Sequence, residues 1–290
     1  MNNNREVFGL KSIQSLMREV GLYGGRIDAL FGPSCVDAMK ALVANANPSY
    51  NPIVAVPTYD ATDVFKWVQE YLVRAGKTPN GFAVDGKWGS GTEGELGKLC
   101  NMYAEAHSLP FYSYAWTAHP RITPEMVAKV EAWMVKWGKP KEHVNYLFSC
   151  MALETGRTFD ASIKNKHSGA VGLIQFMPGP NGSAVDLGTT TDALAKMTEV
   201  DQLDYVFKYF EKYGYIKKCA RLEDYYLTIF YPAHVGKDPN IKVGVEGTKL
   251  YSQNSGFDRE KKGFYTVGDI AFAITEFYWE GMDPKKRTIK

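Results

Sequence analysis

The sequence has few cysteines and no long apolar run, and each absence narrows what the protein can be. Its 290 residues include four cysteines, which lie far apart and form no C-x-x-C pair. Neither a disulfide scaffold nor a zinc framework is therefore expected, and we predict free, mostly buried thiols without a metal or cofactor. No stretch of about 18 apolar residues occurs, so we expect no insertion into a membrane. The cysteines are Cys35, Cys100, Cys150 and Cys219.

Charge of one sign is also lacking. The formal net charge is +2, and no basic-aromatic pattern, phosphate-binding glycine loop or nucleophile elbow is evident. Nucleic acid is therefore not an expected partner. The first residues contain no apolar segment, so we expect synthesis in a cytoplasm without a signal peptide. We expect a monomer.

What is present fits a soluble, folded chain of about two domains. Hydrophobic residues make up 45% and charged residues 23%, which is ordinary for a globular protein that buries a core of its own. Aromatic residues reach 13%, and many are tyrosine. Tyrosine and tryptophan combine an apolar ring with a polar tip, which suits carbohydrate sites as well as ordinary cores.

Residues 7–44 and 64–102 repeat one pattern, in which an amphipathic helix, a glycine-rich loop and a second helix follow one another. Gln14 and Gln69 occupy matching places in the first helices. Each loop has an aliphatic residue, an aspartate, two further residues, an aromatic residue and a glycine. We expect the aspartate to bind backbone amides and the glycine to adopt an angle that other residues avoid.

This repeat resembles the peptidoglycan-binding domain of wall hydrolases, whose pattern is D-G-x-F-G-x-x-T. The second copy matches better, because the first departs from the pattern at Ala29 and Cys35. The resemblance implies a wall-binding module over residues 1–105, and a helical spacer without a ligand is the alternative. The implied binding residues are Asp28, Phe31, Gly32, Asp85, Trp88 and Gly89.

A proline-containing segment, residues 106–123, is predicted to link this module to a second domain over residues 124–290. Beyond it the pattern is helical, so the fold class is predicted to be mainly α. The expected helices, with one short hairpin besides, cover about 124–138, 141–154, 192–213, 221–231 and 266–279.

Glu154 ends an apolar helix and directly precedes Thr155 and Gly156. A carboxyl group at the border between core and solvent loses part of its hydration, which raises its pKa toward neutrality. Such a group can protonate a leaving oxygen near pH 7. Position alone does not separate this role from that of a surface residue, and the downstream motifs favour the catalytic one.

Two motifs follow Glu154. Ser168 opens the run S-G-A-V-G-L-I-Q-F-M-P, and Phe230 opens F-Y-P-A-H-V-G. Together with Glu154 they resemble the signatures of lytic transglycosylases and goose-type lysozymes, and the Y-P-A version resembles that of phage endolysins of Gram-negative hosts. The resemblance spans roughly residues 146–236 and implies a lysozyme-like helical domain.

The resemblance also implies roles for particular residues. Glu154 matches the catalytic acid, and Ser168 and Gln175 match residues that line the cleft and bind the sugars. Phe176 is implied to form the floor beneath a sugar, with core packing as the alternative. Tyr231 matches a tyrosine whose hydroxyl binds the catalytic glutamate. Where the family commonly has asparagine, Pro232 stands here.

The expected activity is cleavage of the β-1,4 bond between N-acetylmuramic acid and N-acetylglucosamine in bacterial peptidoglycan. Glu154 acting as acid and then base would give 1,6-anhydro products, as in a lytic transglycosylase. A hydrolytic muramidase needs a second carboxylate. Asp160 and Asp186 are the nearby candidates, although neither lies in a motif of that kind.

The expected biological role is that of an endolysin that reaches the periplasmic wall with the help of a holin, or that of an enzyme carried by the virion. The alternatives are a non-catalytic wall-binding phage protein with a decayed lysozyme fold, and a chitinase-like enzyme of the same fold.

Residues 258–269 have the spacing of a calcium-binding EF-hand loop, with Gly263 at the turn position. Lys262 stands where an oxygen ligand is needed and Arg259 adds a second positive charge, so a loop without metal is expected. His167 and His234 lie near the motifs but lack the partners of a metal site, so ordinary solvated or paired histidines are expected.

Overall fold

The computed structural model describes residues 4–49, 60–76, 78–79, 81–109, 114–212 and 214–289. They fall into two compact units, Met1–Tyr112 with Ile289–Lys290 and Ser113–Thr288. Within this part of the chain the structure is mainly helical, which confirms the predicted class at that level. None of the helices described has the length and apolar character that crossing a membrane requires.

Among its described residues, the first unit has four helices that share one core. They pair in sequence as the repeat predicts, so that each copy contributes two helices joined by a loop. Their bounds are α1 Asn4–Glu19, α2 Pro33–Ala46, α3 Ala61–Arg74 and α4 Ser90–Ala106.

Two buried glutamines organise the loops of this unit in the same way. Gln69 donates from Nε2 to Asp85 and to the Lys87 carbonyl, and its Oε1 accepts the amides of Asp85 and Gly86. Gln14 makes the corresponding bonds in the first copy. Because a buried amide side chain needs several partners, the glutamine fixes the loop conformation.

The first copy compensates for its departure from the repeat at Cys35. In the second copy Nε2 of Gln69 also reaches the hydroxyl of Thr92 at 3.1 Å. Cys35 stands at the place of this threonine, and Gln14 instead donates to the hydroxyl of Tyr23 at 3.2 Å.

The left-handed residue in each loop is not the one that we predicted. Gly32 and Gly89 are extended N-caps of α2 and α4, with φ of −142° and −158°. The positive angles fall directly after the aspartates, at Ala29 with φ of 65° and at Gly86 with φ of 71°. The turn closed by the aspartate side chain requires them there, because its carboxylate accepts the amide two residues on.

In the second unit the long helices are α5 Pro124–Lys136, α6 His143–Glu154, α9 Glu199–Lys212, α11 Leu222–Phe230 and α13 Val267–Gly281, and the short ones are α7 Ser183–Asp186, α8 Thr191–Leu194, α10 Tyr215–Lys218 and α12 Lys249–Asn254. The described part of this unit also has 3-10 turns at Pro232–His234, Ser255–Phe257 and Pro284–Lys286. Helix α6 runs through the core, buried from His143 to Ala152, and packs against α5, α11 and α13.

The helix predicted over residues 192–213 is two helices. Thr198 begins the second one, because its hydroxyl accepts the amide of Asp201 and donates to the carboxylate of the same residue. This reciprocal pairing is an N-terminal signal that stops the preceding helix from continuing through it.

In place of the predicted hairpin, the structure has two paired strands that lie far apart in the sequence. β1 Lys242–Val245 and β2 Phe264–Thr266 pair antiparallel, with a register shift between Lys242 and Gly244. Helix α12 and a 3-10 turn lie between them in sequence. A longer connection was not visible from the pattern because both strands are too short to show alternation.

Candidate active site

Glu154 is the last residue of α6 and remains half-buried. The helix ends here because Thr155 turns back to the carbonyl of Met151 and Gly156 takes a left-handed angle of 58°. Burial of the carboxyl group raises the pKa of Glu154 to about 7, against the opposing effect of a hydrogen bond from Tyr226. The group therefore carries an exchangeable proton near neutral pH.

Tyr226, on the adjacent helix α11, is the hydrogen-bond partner of Glu154. Its side chain is buried, and burial together with the neighbouring Glu154 holds the pKa of its hydroxyl well above the ordinary range. The hydroxyl therefore remains protonated and donates to the carboxylate. The resemblance had implied this contact for Tyr231, five residues further along the chain, and no sequence motif marked Tyr226.

Tyr231 lies just past the end of α11, half-buried, with its ring 4.8 Å from that of His234. The loop that carries both is fastened to the start of α11 by Asp224, whose carboxylate accepts the amide of Gly236 at 3.0 Å. The buried Nδ1 of His234 has no hydrogen-bond partner among the residues described. Asp224 thus holds the motif that begins at Phe230 in place.

Ser168 and Gln175 lie on one compact loop, closed by isolated bridges of Val171 to Lys164 and to Phe176. Ser168 is exposed, and its hydroxyl accepts the amide of Ala170. Gln175 is half-buried in a left-handed conformation, with φ of 54°. Its Nε2 donates to the carbonyl of Gly172 at 3.1 Å. A non-glycine residue held at such an angle is a feature that clusters at functional sites.

Gln202 of α9, which the sequence analysis did not single out, anchors this loop. Its side chain is 0% exposed. Its Oε1 accepts the amide of Leu173 at 2.7 Å, and its Nε2 donates to the carbonyls of Ala161 and Leu194 at 2.9 and 3.0 Å. One side chain thus joins three segments. The only sequence signal was an amide residue on the apolar face of a helix.

Phe176 does not form a floor that a sugar could touch. It is 1% exposed, and its ring packs edge-on against Tyr209. Leu173 is buried as well, so both side chains anchor the loop in the core. The next residue, Met177, is exposed at the surface of the same segment. Core packing, the alternative considered for Phe176, therefore describes it.

Both candidate second carboxylates are engaged elsewhere. Asp160 accepts from Ser162 and forms an ion pair with Arg121 at 3.1 Å, and these hydrogen bonds and the guanidinium lower its pKa. Asp186 forms an ion pair with Lys212. Each carboxylate thus has a structural partner.

The residues implied in wall binding have structural positions in the first unit. Asp28 and Asp85 are exposed and close the two turns. Phe31 is buried against Trp67, with ring centroids 5.8 Å apart, and Trp88 packs on Phe65 at 5.5 Å. Gly32 and Gly89 are the helix caps described above. These contacts give each of the implied binding residues a structural role in the fold.

The loop 258–269 contains an ammonium group between its carboxylates. Asp258 accepts the amides of Lys262 and Gly263, and Gly263 has φ of 76°. The Nζ of Lys262 lies 3.0 and 3.1 Å from the two carboxylate oxygens of Asp269, and 3.5 Å from Glu260. The segment has the spacing of an EF-hand loop, and Lys262 provides a positive charge among its carboxylates.

No cluster of histidine, cysteine and acidic side chains suited to a metal ion occurs in the described part of the chain. All four cysteines are free and buried, as predicted. His167 is exposed on the loop before the second motif, where its amide donates to Asn165.

The chain matches no protein-family model and no curated protein.

Proposed function

We propose that the protein cleaves the β-1,4 bond between N-acetylmuramic acid and N-acetylglucosamine in bacterial peptidoglycan, with Glu154 as its general acid. The observation that carries the proposal is the half-buried carboxyl of Glu154, whose pKa is raised to about 7 by burial against the opposing effect of a hydrogen bond from Tyr226. The order of the motifs around it supports the substrate class and a lysozyme-like fold for the second unit.

The first step follows from this protonation state. Protonated Glu154 gives its proton to the bridging oxygen, and the bond from that oxygen to C1 of the muramic acid breaks with its electron pair going to the leaving sugar. The sugar ring then carries oxocarbenium character. Tyr226 stabilises the carboxylate that remains, because a hydrogen bond favours the charged form.

The second step distinguishes a lytic transglycosylase from a hydrolase. In the proposed route the carboxylate of Glu154 takes the proton of the C6 hydroxyl, whose oxygen closes on C1 to give a 1,6-anhydro end. Hydrolysis instead requires a second carboxylate to direct water. The ion pairs of Asp160 with Arg121 and of Asp186 with Lys212 favour the route with one carboxyl group.

Replacement of Glu154 by glutamine tests the catalytic assignment. We expect Glu154→Gln to abolish the loss of turbidity of Gram-negative cells stripped of their outer membrane, while sedimentation with purified walls is retained. Glu142→Gln, at the exposed start of the same helix, is the matched control and should lyse normally. Continued lysis by Glu154→Gln would refute the assignment.

Mass spectrometry of the released fragments tests the second step. Anhydromuropeptides are the expected product, and free reducing ends would instead make the protein a muramidase. A parallel digestion of chitin oligomers tests the substrate class, since preference for them would contradict a wall-degrading role.

The first unit is proposed to bind the wall and to deliver the second unit to it. Removal of residues 1–105 should weaken sedimentation with purified walls while cleavage of soluble glycan continues. Unchanged sedimentation would show that the repeats are a spacer. The proposed setting is release at lysis or delivery by a virion.

A further inference from the structure

A set of aromatic rings adjoins Tyr226, the hydrogen-bond partner of Glu154. The rings of Tyr226 and Phe230, one turn apart on α11, are parallel within 3° with centroids 5.9 Å apart. Phe257 stands across both of them, 5.2 Å from Phe230 and 6.4 Å from Tyr226. Tyr265 lies behind Phe257 at 5.4 Å. We call Tyr226, Phe230, Phe257 and Tyr265 the aromatic cluster.

The cluster has a buried base and a partly open face. Tyr226 and Tyr265 are buried, and burial raises the pKa of Tyr265 to about 12. Phe230 and Phe257 are only half-buried, so neither residue is fully enclosed by the core. Two half-buried apolar rings thus pack against Tyr226, the hydrogen-bond partner of the Glu154 carboxyl.

The loop 258–269 fixes the position of Phe257. Asp258, the next residue, is held by the amides of Lys262 and Gly263 and by the hydroxyl of Tyr251 at 2.9 Å. The ion pair of Lys262 with Asp269 joins the first half of this segment to its end, in the first turn of α13. Phe257 therefore projects from a constrained turn, as a preorganised contact requires.

Pyranose rings have a face of C–H groups that packs on an aromatic ring, while their hydroxyl and amide groups lie around the edge. Aromatic side chains supply such contact area with little loss of conformational freedom. A glycan bound with its scissile oxygen at Glu154 extends for several sugars on either side, so a neighbouring sugar would cover apolar rings that adjoin the carboxyl group.

We propose that Phe230 and Phe257 form a saccharide-stacking subsite next to Glu154, presented by the loop 258–269. The proposal rests on the proposed function, because it takes the occupant to be a sugar of the same glycan strand. It gives this segment with EF-hand spacing a role that needs no ion.

Binding of a soluble, uncrosslinked glycan strand to the full chain carrying Glu154→Gln tests the subsite, because cleavage is then removed. Adding Phe257→Leu keeps apolar volume but removes the flat ring, and we expect about tenfold weaker binding. Phe257→Tyr should bind within about twofold of the parent. Phe272→Ala is the matched control, because this half-buried phenylalanine of α13 packs under Arg259 outside the cluster.

A second measurement does not depend on how the variants fold. With fluorine-labelled phenylalanine, addition of the glycan strand should shift the resonance of Phe257 and leave that of Phe272 unchanged. Equal binding by Phe257→Leu, or an unshifted Phe257 resonance at saturating glycan, would overturn the subsite. A parent chain that binds no glycan would instead refute the proposed function, so the two failures are distinguishable.

Discussion

The proton affinity of Glu154 is set by two side-chain effects of opposite sign. Burial favours the neutral acid, and the hydroxyl of Tyr226 favours the carboxylate. The balance leaves the pKa at about 7, so the residue is protonated in part at neutral pH and can serve as an acid and afterwards as a base. The hydroxyl of Tyr226 therefore helps to set the pKa of Glu154.

Removal of this hydroxyl should move the pH profile. In Tyr226→Phe the carboxylate loses its donor, the pKa of Glu154 rises further, and the alkaline limb of kcat/KM should shift upward by about one pH unit. Tyr225→Phe is the control, because the Tyr225 hydroxyl binds His143 instead. An unmoved limb in Tyr226→Phe would contradict the assigned contact.

Ala29 has a left-handed backbone angle at the place where the second copy of the repeat has glycine. Its left-handed angle costs a residue with a Cβ atom about 1–2 kcal/mol, and Gly86 has the matching place in the second copy. Ala29→Gly should therefore stabilise the first unit by up to about 1 kcal/mol, reduced by the entropy that glycine adds to the unfolded chain.

The reciprocal change provides the control for this prediction. Gly86→Ala should destabilise the unit by more, since a Cβ atom there would lie 2.8 Å from the methyl of Thr62 as well as in a strained backbone. Urea denaturation measures both changes. Equal effects of the two substitutions would contradict the stated reason.

At the scale of elements, the second motif depends on a helix that is not part of it. Helix α9 supplies Gln202, and its three hydrogen bonds hold both ends of the segment from Ala161 to Leu194. The loop itself has few regular pairs, so its conformation relies on this buried amide.

Gln202→Met should therefore loosen the loop that carries Ser168 and Gln175. We expect a loss of about 2–4 kcal/mol of unfolding free energy, because three backbone groups lose their buried partners. Hydrogen exchange at the amide of Leu173 should accelerate beyond this global effect. Gln253→Met, on the exposed side of α12, is the control and should change neither quantity.

The loop 258–269 shows an element whose sequence pattern and electrostatics disagree. Its spacing is that of a calcium loop, and Lys262 replaces the ion. Burial lowers the pKa of Lys262, but its hydrogen bond to Asp269 and the nearby Glu260 outweigh that and raise it. The ammonium therefore stays charged.

Neither calcium nor a chelator should change the melting temperature of the native protein. Lys262→Met should lower the unfolding free energy by about 1 kcal/mol, since the ion pair with Asp269 is partly exposed to solvent. A calcium-dependent rise in melting temperature of the native chain would contradict this account.

At the scale of the whole second unit, the buried His143 and the half-buried Glu154 make its stability depend on pH in opposite directions. Burial lowers the pKa of His143 to about 4 from its ordinary 6.5. Its contribution is complete above pH 6.5 and is lost as the pH falls toward 4. The raised pKa of Glu154 gives a contribution that is complete below pH 4.5 and is lost as the pH rises through 7.

Glu154→Gln should remove the Glu154 contribution, so that the remaining pH dependence of the unfolding free energy is that of His143. The variant should match the parent near pH 4.5 and exceed it by about 3 kcal/mol at pH 8, because each unit of pKa shift corresponds to about 1.4 kcal/mol. Denaturation at a series of pH values measures the difference. A difference that is independent of pH would show that Glu154 is not buried as described.

The sequence allowed the mainly helical class, the paired glutamine and aspartate loops and the position of Glu154 at a helix end to be predicted. These features depend on residues within about one or two helical turns, or within one loop, so that periodicity and turn residues reveal them. The division of the helix at Thr198 was also local, and its T-x-x-D signal was readable but overlooked.

The sequence did not determine which side chains contact one another across the core. Tyr226 at Glu154, Gln202 beneath the second motif and the burial of Phe176 all depend on contacts between side chains far apart in the chain. Which way a side chain points across an interface between helices follows from how the elements pack, and no local pattern encodes it. The same packing withdraws Glu154 from water, so the tertiary structure decided the pKa on which the proposed chemistry depends.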